Sequence, residues 1–200
     1  MQLGYRNVHR FAAGWFGWLD LTQPNRADRD KPRGLAVGDF FPACSLVVLQ
    51  SARDVPYLGL AAGSKRFALR EVSADYLVVE LYNELCYGCL QAVAAYNQLF
   101  DLMTHDPALA GRMKMLGLGV ASQHREVVRF RREQGVKFPL FADPKHDVFD
   151  CLGKPALPVL YLLERSTQGG YRIVLKHSGH VASPAALLAK LKSFTAVTAP

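Results

Sequence analysis

Hydrophobic and polar positions follow two different periods along this chain, and the changes of period mark its elements. Tyr76–Tyr82 (YLVVELY) is a continuous apolar run holding one acid, Glu80, the pattern of a strand covered on both faces. Residues 87–104 then take a helical period, stopped before Asp106-Pro107, because the residue preceding a proline is turned away from the helical region. Met113–Ala121 (MKMLGLGVA) is a second strand candidate. Ser122 is placed to cap a helix over 123–134, which Gly135 would end. Asp143-Pro144 has the cap-plus-proline signature of a short helix closed by Gly153. Pro158–Glu164 (PVLYLLE) and Tyr171–His177 (YRIVLKH) flank Gln168-Gly169-Gly170 and predict an antiparallel hairpin. Ser183-Pro184 starts a last helix that runs to about Phe194. The order β-α-β-α-(short α)-β-β-α predicts an α/β fold with a central mixed β-sheet flanked by helices on both faces.

Before residue 35 the pattern is different. Residues 22–34 (TQPNRADRDKPRG) are polar and rich in turn formers, so 1–34 reads as an extension and linker and 35–200 as one folded domain. Phe11, Trp15 and Trp18 fall at helical spacing beside Arg6 and Arg10, a face suited to a membrane surface or to a partner. The simpler expectation is that this face folds back onto its own domain or onto a second copy. Phe11–Leu19 has the outline of an export signal, but Gly14 and Gly17 interrupt it, Asp20 closes it, and no small-residue cleavage pattern follows. No apolar run approaches the ~20 residues of a membrane-spanning helix.

Composition narrows the class. Of 200 residues, half are apolar and a fifth are charged, as in an ordinary folded domain. The net charge of +7 is dispersed; Arg125, Arg129 and Arg132 share a helical face that reads as solvated, and nucleic acid is not expected as a partner. Four cysteines are too few for a disulfide scaffold at this length. Cys44 and Cys151 stand alone in sequence and read as small buried hydrophobes; in an oxidising compartment they would instead pair or act as a relay.

Cys86 and Cys89 are different, because Leu85-Cys86-Tyr87-Gly88-Cys89 lies where an interior strand passes into a helix. Spacing of three puts both sulfurs on one side of the first turn, within reach of a disulfide. The helix start supplies unpaired N–H groups and a dipole worth ~0.3–1 kcal/mol, occasionally ~2, to a thiolate at Cys86. A reactive cysteine in such a motif has its pKa brought to ~3.5–7.5. Cys86 is therefore expected to attack and Cys89, one turn deeper, to resolve. Cys89 must lose a proton in the second step. Glu80 on the preceding strand is either its acceptor, through water, or a carboxylate turned to a polar edge or a salt bridge. No second CxxC or HxxxH is present to complete a zinc site, so neither metal nor cofactor is expected.

From about 36 to 195 the chain resembles the thioredoxin superfamily, more closely its redoxin branch with the TlpA/ResA-type proteins and the AhpC/TSA-related peroxiredoxins. Val37-Gly38-Asp39 resembles the short lead-in motif of those domains. YLVVELY leads into CYGC with Glu80 six residues before Cys86, where thioredoxins carry a buried acid. Phe138–Asp143 (FPLFAD) matches the redoxin "FP…D" segment, and Pro158 holds the place of the family's cis-proline. The resemblance implies a thiol–disulfide oxidoreductase with a role in cell redox homeostasis or antioxidant defence. Cys86, Cys89, Glu80 and Pro158 would be catalytic, and Tyr87, Gly88 and Leu157 would contact substrate. Its partners would be protein disulfides or dithiols and an upstream redox protein. It implies a place in the bacterial periplasm or cell envelope, with the cytoplasm as the alternative. The chain departs from the family at Leu85 (usually aromatic), at Leu157 (commonly threonine) and at Glu84, an acid beside Cys86. Two other activities compete. Hydroperoxide reduction by a peroxiredoxin requires Pro and Thr or Ser where this chain has Val79 and Asn83. A non-enzymatic binding or chaperone module would leave the CxxC without a purpose.

Overall fold

Burial along Tyr76–Tyr82 sets the architecture, since all seven residues are covered. A computed structural model describes residues 34–195. The aromatic extension and most of the linker therefore lie outside the described residues. In chain order the elements are β1 (Ser45–Val47), α1 (Ser51–Leu58), β2 (Arg66–Ala68), a 3-10 turn (Leu69–Glu71), β3 (Tyr76–Tyr82), α2 (Tyr87–His105) and β4 (Met113–Val120). There follow α3 (His124–Glu133), β5 (Leu140–Asp143), α4 (Asp147–Cys151), β6 (Val159–Arg165), β7 (Tyr171–Ser178) and α5 (Pro184–Thr195).

The main sheet has the order β5-β4-β3-β6-β7. Strands β4 and β5 run parallel to β3 and its neighbour, whereas β6 and β7 form the antiparallel hairpin. This is the mixed α/β sheet expected from the periodicity. Side chains of a strand alternate between faces, and β3 serves two cores. Tyr76, Val78 and Tyr82 join α2, α3 and α5 on one side. Leu77, Val79 and Leu81 face β1, β2, the 3-10 turn and α4 on the other. Burying these side chains contributes about 1.5–3 kcal/mol each against solvent exposure.

The structure departs from the expected pattern at four places. Ser122 does not cap α3: Gln123 is the N-cap, and its N–H donates to the Glu126 carboxylate 2.6 Å away. Pro144 does not open a helix; α4 starts at Asp147, and the Asp143 carboxylate accepts the Val148 and Phe149 N–H groups. Leu140–Asp143, within the FPLFAD segment, is a full strand beside β4. The short elements β1, α1 and β2 carry too few residues to show a period. By contrast, Arg125, Arg129 and Arg132 are exposed as expected. Among the described residues no helix is long and apolar enough to cross a membrane.

Two glycines of β4 are dictated by packing. A Cβ at Gly117 would lie 2.5 Å from Leu140 Cδ2, and one at Gly119 would lie 2.8 Å from Ser122 Oγ and 3.0 Å from the Tyr82 hydroxyl. Tyr82 thus lies flat over β4, its ring stacked on Phe130 at 4.9 Å.

Candidate active site

The C-terminal end of β3 delivers the chain into α2 through Asn83, Glu84, Leu85 and Cys86, and Asn83 holds that turn. Its amide Nδ2 donates to the Val120 carbonyl at 2.7 Å, its Oδ1 accepts the Leu85 N–H at 2.9 Å, and its carbonyl accepts the Cys86 N–H at 3.0 Å. An asparagine whose side chain accepts from the residue two places on is a known turn former. The Asn at this position is itself the local sequence signal for the turn, beyond its place in the peroxiredoxin comparison. Glu84, the acid of concern beside Cys86, is engaged by the Ser122 hydroxyl, which donates to it.

Cys86 is the N-cap of α2, and its sulfur takes the place of the usual capping oxygen. Sγ accepts the Cys89 N–H at 3.3 Å, a helix-start donor shared with the Cys86 carbonyl at 3.0 Å. In its thiol form Cys86 donates to the Leu157 carbonyl at 3.8 Å across 71 positions of sequence. The Leu157–Pro158 bond is cis. Gly88 faces the same proline: a Cβ there would meet Pro158 Cδ at 3.4 Å. Leu85 and Tyr87 bracket Cys86 and project into solvent, 87% and 73% exposed. The structure therefore brings Cys86, Gly88, Leu157 and Pro158 together, with Leu85 and Tyr87 as an apolar rim.

Beneath this surface lies Cys89, 1% exposed. Burial pushes its thiol up from the ordinary 9.0, and a side-chain hydrogen bond with Cys86 adds to the rise. Glu80 lies on the same face of β3 as Val78 and Tyr82, the face that packs on α2. It is opposed by Gly117 and Leu160 in the neighbouring strands and is buried. Burial pushes its carboxyl up to about 8, because among the described residues no charge or hydrogen bond offsets desolvation of the anion. Its charge in turn contributes to the rise at Cys89. Glu80 is thus covered between the sheet and α2. Both cysteines are free thiols. Among the described residues, no group of three or more His, Cys, Asp or Glu is arranged to hold a metal ion.

No protein-family model and no curated protein matches the chain. Solved structures do. The thioredoxin domain of a thiol-disulfide oxidoreductase from Bacteroides vulgatus superposes with a TM-score of 0.58 at 15% identity, covering 80% of this chain and 99% of its own. A thiol:disulfide interchange protein from Bacteroides sp. gives 0.58 at 15% identity over 80% and 90%. Mycobacterium tuberculosis AhpC gives 0.58 at 17% identity over 81% and 99%. The fold is thioredoxin-like. Within a thioredoxin-like fold the Cys86–Cys89 pair stands at the C-terminal edge of the parallel strands, where open α/β sheets present their ligand crevices.

Proposed function

We propose that this chain is a thiol–disulfide oxidoreductase that exchanges disulfides with protein substrates through Cys86 and Cys89. One observation carries the proposal: a partly exposed sulfur capping a helix, with a second, wholly covered sulfur in the same first turn. In the reducing direction the ionised Cys86 Sγ attacks a substrate disulfide, forms a mixed disulfide and expels the first substrate thiolate. The Cys89 N–H and the helix-start dipole stabilise the attacking charge. Cys89 then loses its proton, attacks Cys86 Sγ and expels the second thiolate, which leaves a Cys86–Cys89 disulfide for an upstream redox partner to reduce.

Glu80 is the proton carrier of the second step in this scheme. Its ionised fraction grows as pH passes about 8, so release of the mixed disulfide accelerates through that range. An extended substrate segment would pair beside Leu157 and Pro158 and rest its apolar side chains on Leu85 and Tyr87. Against hydroperoxide reduction stands the commitment of the Asn83 amide to Val120, since a peroxide O–O bond needs aimed donors. The proposal includes a place in the bacterial cell envelope, where conditions sustain protein disulfides.

Trapping tests it. Cys89→Ser should accumulate a mixed disulfide with a disulfide-bearing protein such as insulin, seen as a thiol-reversible band, and Cys86→Ser should accumulate none. Equal trapping by the two variants would refute the assignment of attacker and resolver.

A further inference from the structure

Asn83 ties the turn that leads into Cys86 to a strand that carries neither sulfur. Its Nδ2 donates to the Val120 carbonyl at 2.7 Å across 37 positions of sequence. Val120 ends β4, is buried, and is held from its other side by β5. It pairs there with Asp143, and the next N–H, that of Ala121, donates to the Asp143 carbonyl at 3.1 Å. The anchor is therefore paired sheet. From it Asn83 reaches the cysteine turn at two points: Oδ1 accepts the Leu85 N–H at 2.9 Å, and the backbone carbonyl accepts the Cys86 N–H at 3.0 Å. The Asn83 backbone also lowers the Cys89 thiol against the rise that burial imposes, the action of an N–H directed at the sulfur. One residue thus holds the backbone on the Cys86 side and acts on the sulfur on the Cys89 side. Ser122, two residues beyond Val120, adds a parallel tie by donating to Glu84.

We propose that Asn83 is the positioning residue for closure of the Cys86–Cys89 bond and sets the redox equilibrium of the pair through its tie to β4, an inference that rests on the proposed function. A disulfide forms only when the two Cβ atoms come within about 3.5–4.5 Å at a torsion near ~90°, so closing one from a loose turn costs conformational freedom. With the Leu85 and Cys86 N–H groups already bound, the dithiol is held close to that arrangement. Cys86 Sγ meets the Cys89 N–H at 3.3 Å, and the two cysteine side chains share a hydrogen bond. The benefit is a raised effective concentration of one sulfur at the other. It falls on the second step, in which Cys89 Sγ attacks Cys86 Sγ. The new S–S bond forms, the substrate thiolate leaves with the electron pair of the mixed disulfide, and the Cys89 proton passes to Glu80. The first attack needs only an accessible Cys86 and draws nothing from this placement.

Asn83→Ala removes both side-chain contacts and keeps both thiols. Full-length wild type and variant, their folds compared by circular dichroism, are equilibrated in stepped mixtures of glutathione and glutathione disulfide, alkylated, digested and weighed. The Cys86–Cys89 peptide is read apart from those of Cys44, half-buried, and Cys151, exposed contrary to the buried hydrophobe expected. The disulfide of the variant should be about tenfold less stable, a potential about 30 mV less negative. Release of a mixed disulfide with insulin should slow by about tenfold, while its formation, read in the Cys89→Ser background, changes by less than about threefold. If Asn83→Ala does not fold, Asn83→Ser takes its place: the hydroxyl still accepts within the turn but is too short to reach Val120, and a shift in the same direction is expected. A residue that only braces the fold affects dithiol and disulfide forms alike, so an unmoved potential overturns the proposal, as does equal slowing of both steps. Failure of the wild-type chain to form the Cys86–Cys89 bond overturns the proposed function as well, whereas an unmoved potential with that bond formed leaves the function standing.

Discussion

Glu80 ties stability to pH in a direction opposite to that of most carboxylates. Burial raises its pKa from the ordinary 4.5 to about 8, so between those values the folded chain holds a proton that the unfolded chain has released. The native state then binds more protons than the denatured one, and stability falls as pH rises through this window. At 1.36 kcal/mol per unit, the loss relative to pH 4.5 amounts to about 3 kcal/mol at pH 7 and about 5 kcal/mol above pH 8. Glu80→Gln keeps the shape and removes the titration. The variant should match wild type near pH 4.5 and exceed it by about 3 kcal/mol at pH 7. Cys89, raised from its ordinary 9.0, begins to matter only above that value and leaves the window clear. Urea unfolding of both reduced proteins from acid to mildly alkaline pH measures the difference directly. Parallel stability curves across the range would show that the Glu80 carboxylate is solvated, and the reasoning would fail. A stabilised variant that also releases mixed disulfides slowly would display the cost of keeping a carboxyl at this site.

Two further perturbations probe the supports of the sheet. Arg131 and Asp54 form an ion pair at 2.8 Å with side chains 4% and 0% exposed, and Arg131 Nε and Nη2 have no hydrogen-bond partner among the described residues. Asp54→Ala leaves that guanidinium buried and unpaired, so unfolding experiments should record a loss of about 3–5 kcal/mol; a change below about 1 kcal/mol would mean that water reaches the site. Gly117→Ala sets a methyl group 2.5 Å from Leu140 Cδ2, and a loss of about 1–3 kcal/mol is expected from the forced repacking. Thermal melts that coincide with wild type would contradict that close approach.

Local periodicity and spacing, which need no tertiary partner, determined much of this protein. A seven-residue apolar run is a covered strand wherever it is placed, and two cysteines three apart at a helix start share one side of it. The hairpin from Val159 to Ser178 and the helices after Cys86 and Ser183 were legible for the same reason. Tertiary structure decided what a one-dimensional pattern carries no information about. An uninterrupted apolar run does not say which face each side chain takes, so only the assembled sheet turned Glu80 toward the Cys89 side and desolvated it. Leu157 reaches Cys86 across 71 positions, Asp54 reaches Arg131 across 77, and Asn83 closes its turn on Val120 of another strand. Contacts of that length depend on the sheet order β5-β4-β3-β6-β7, which arises only when both faces of β3 are buried at once.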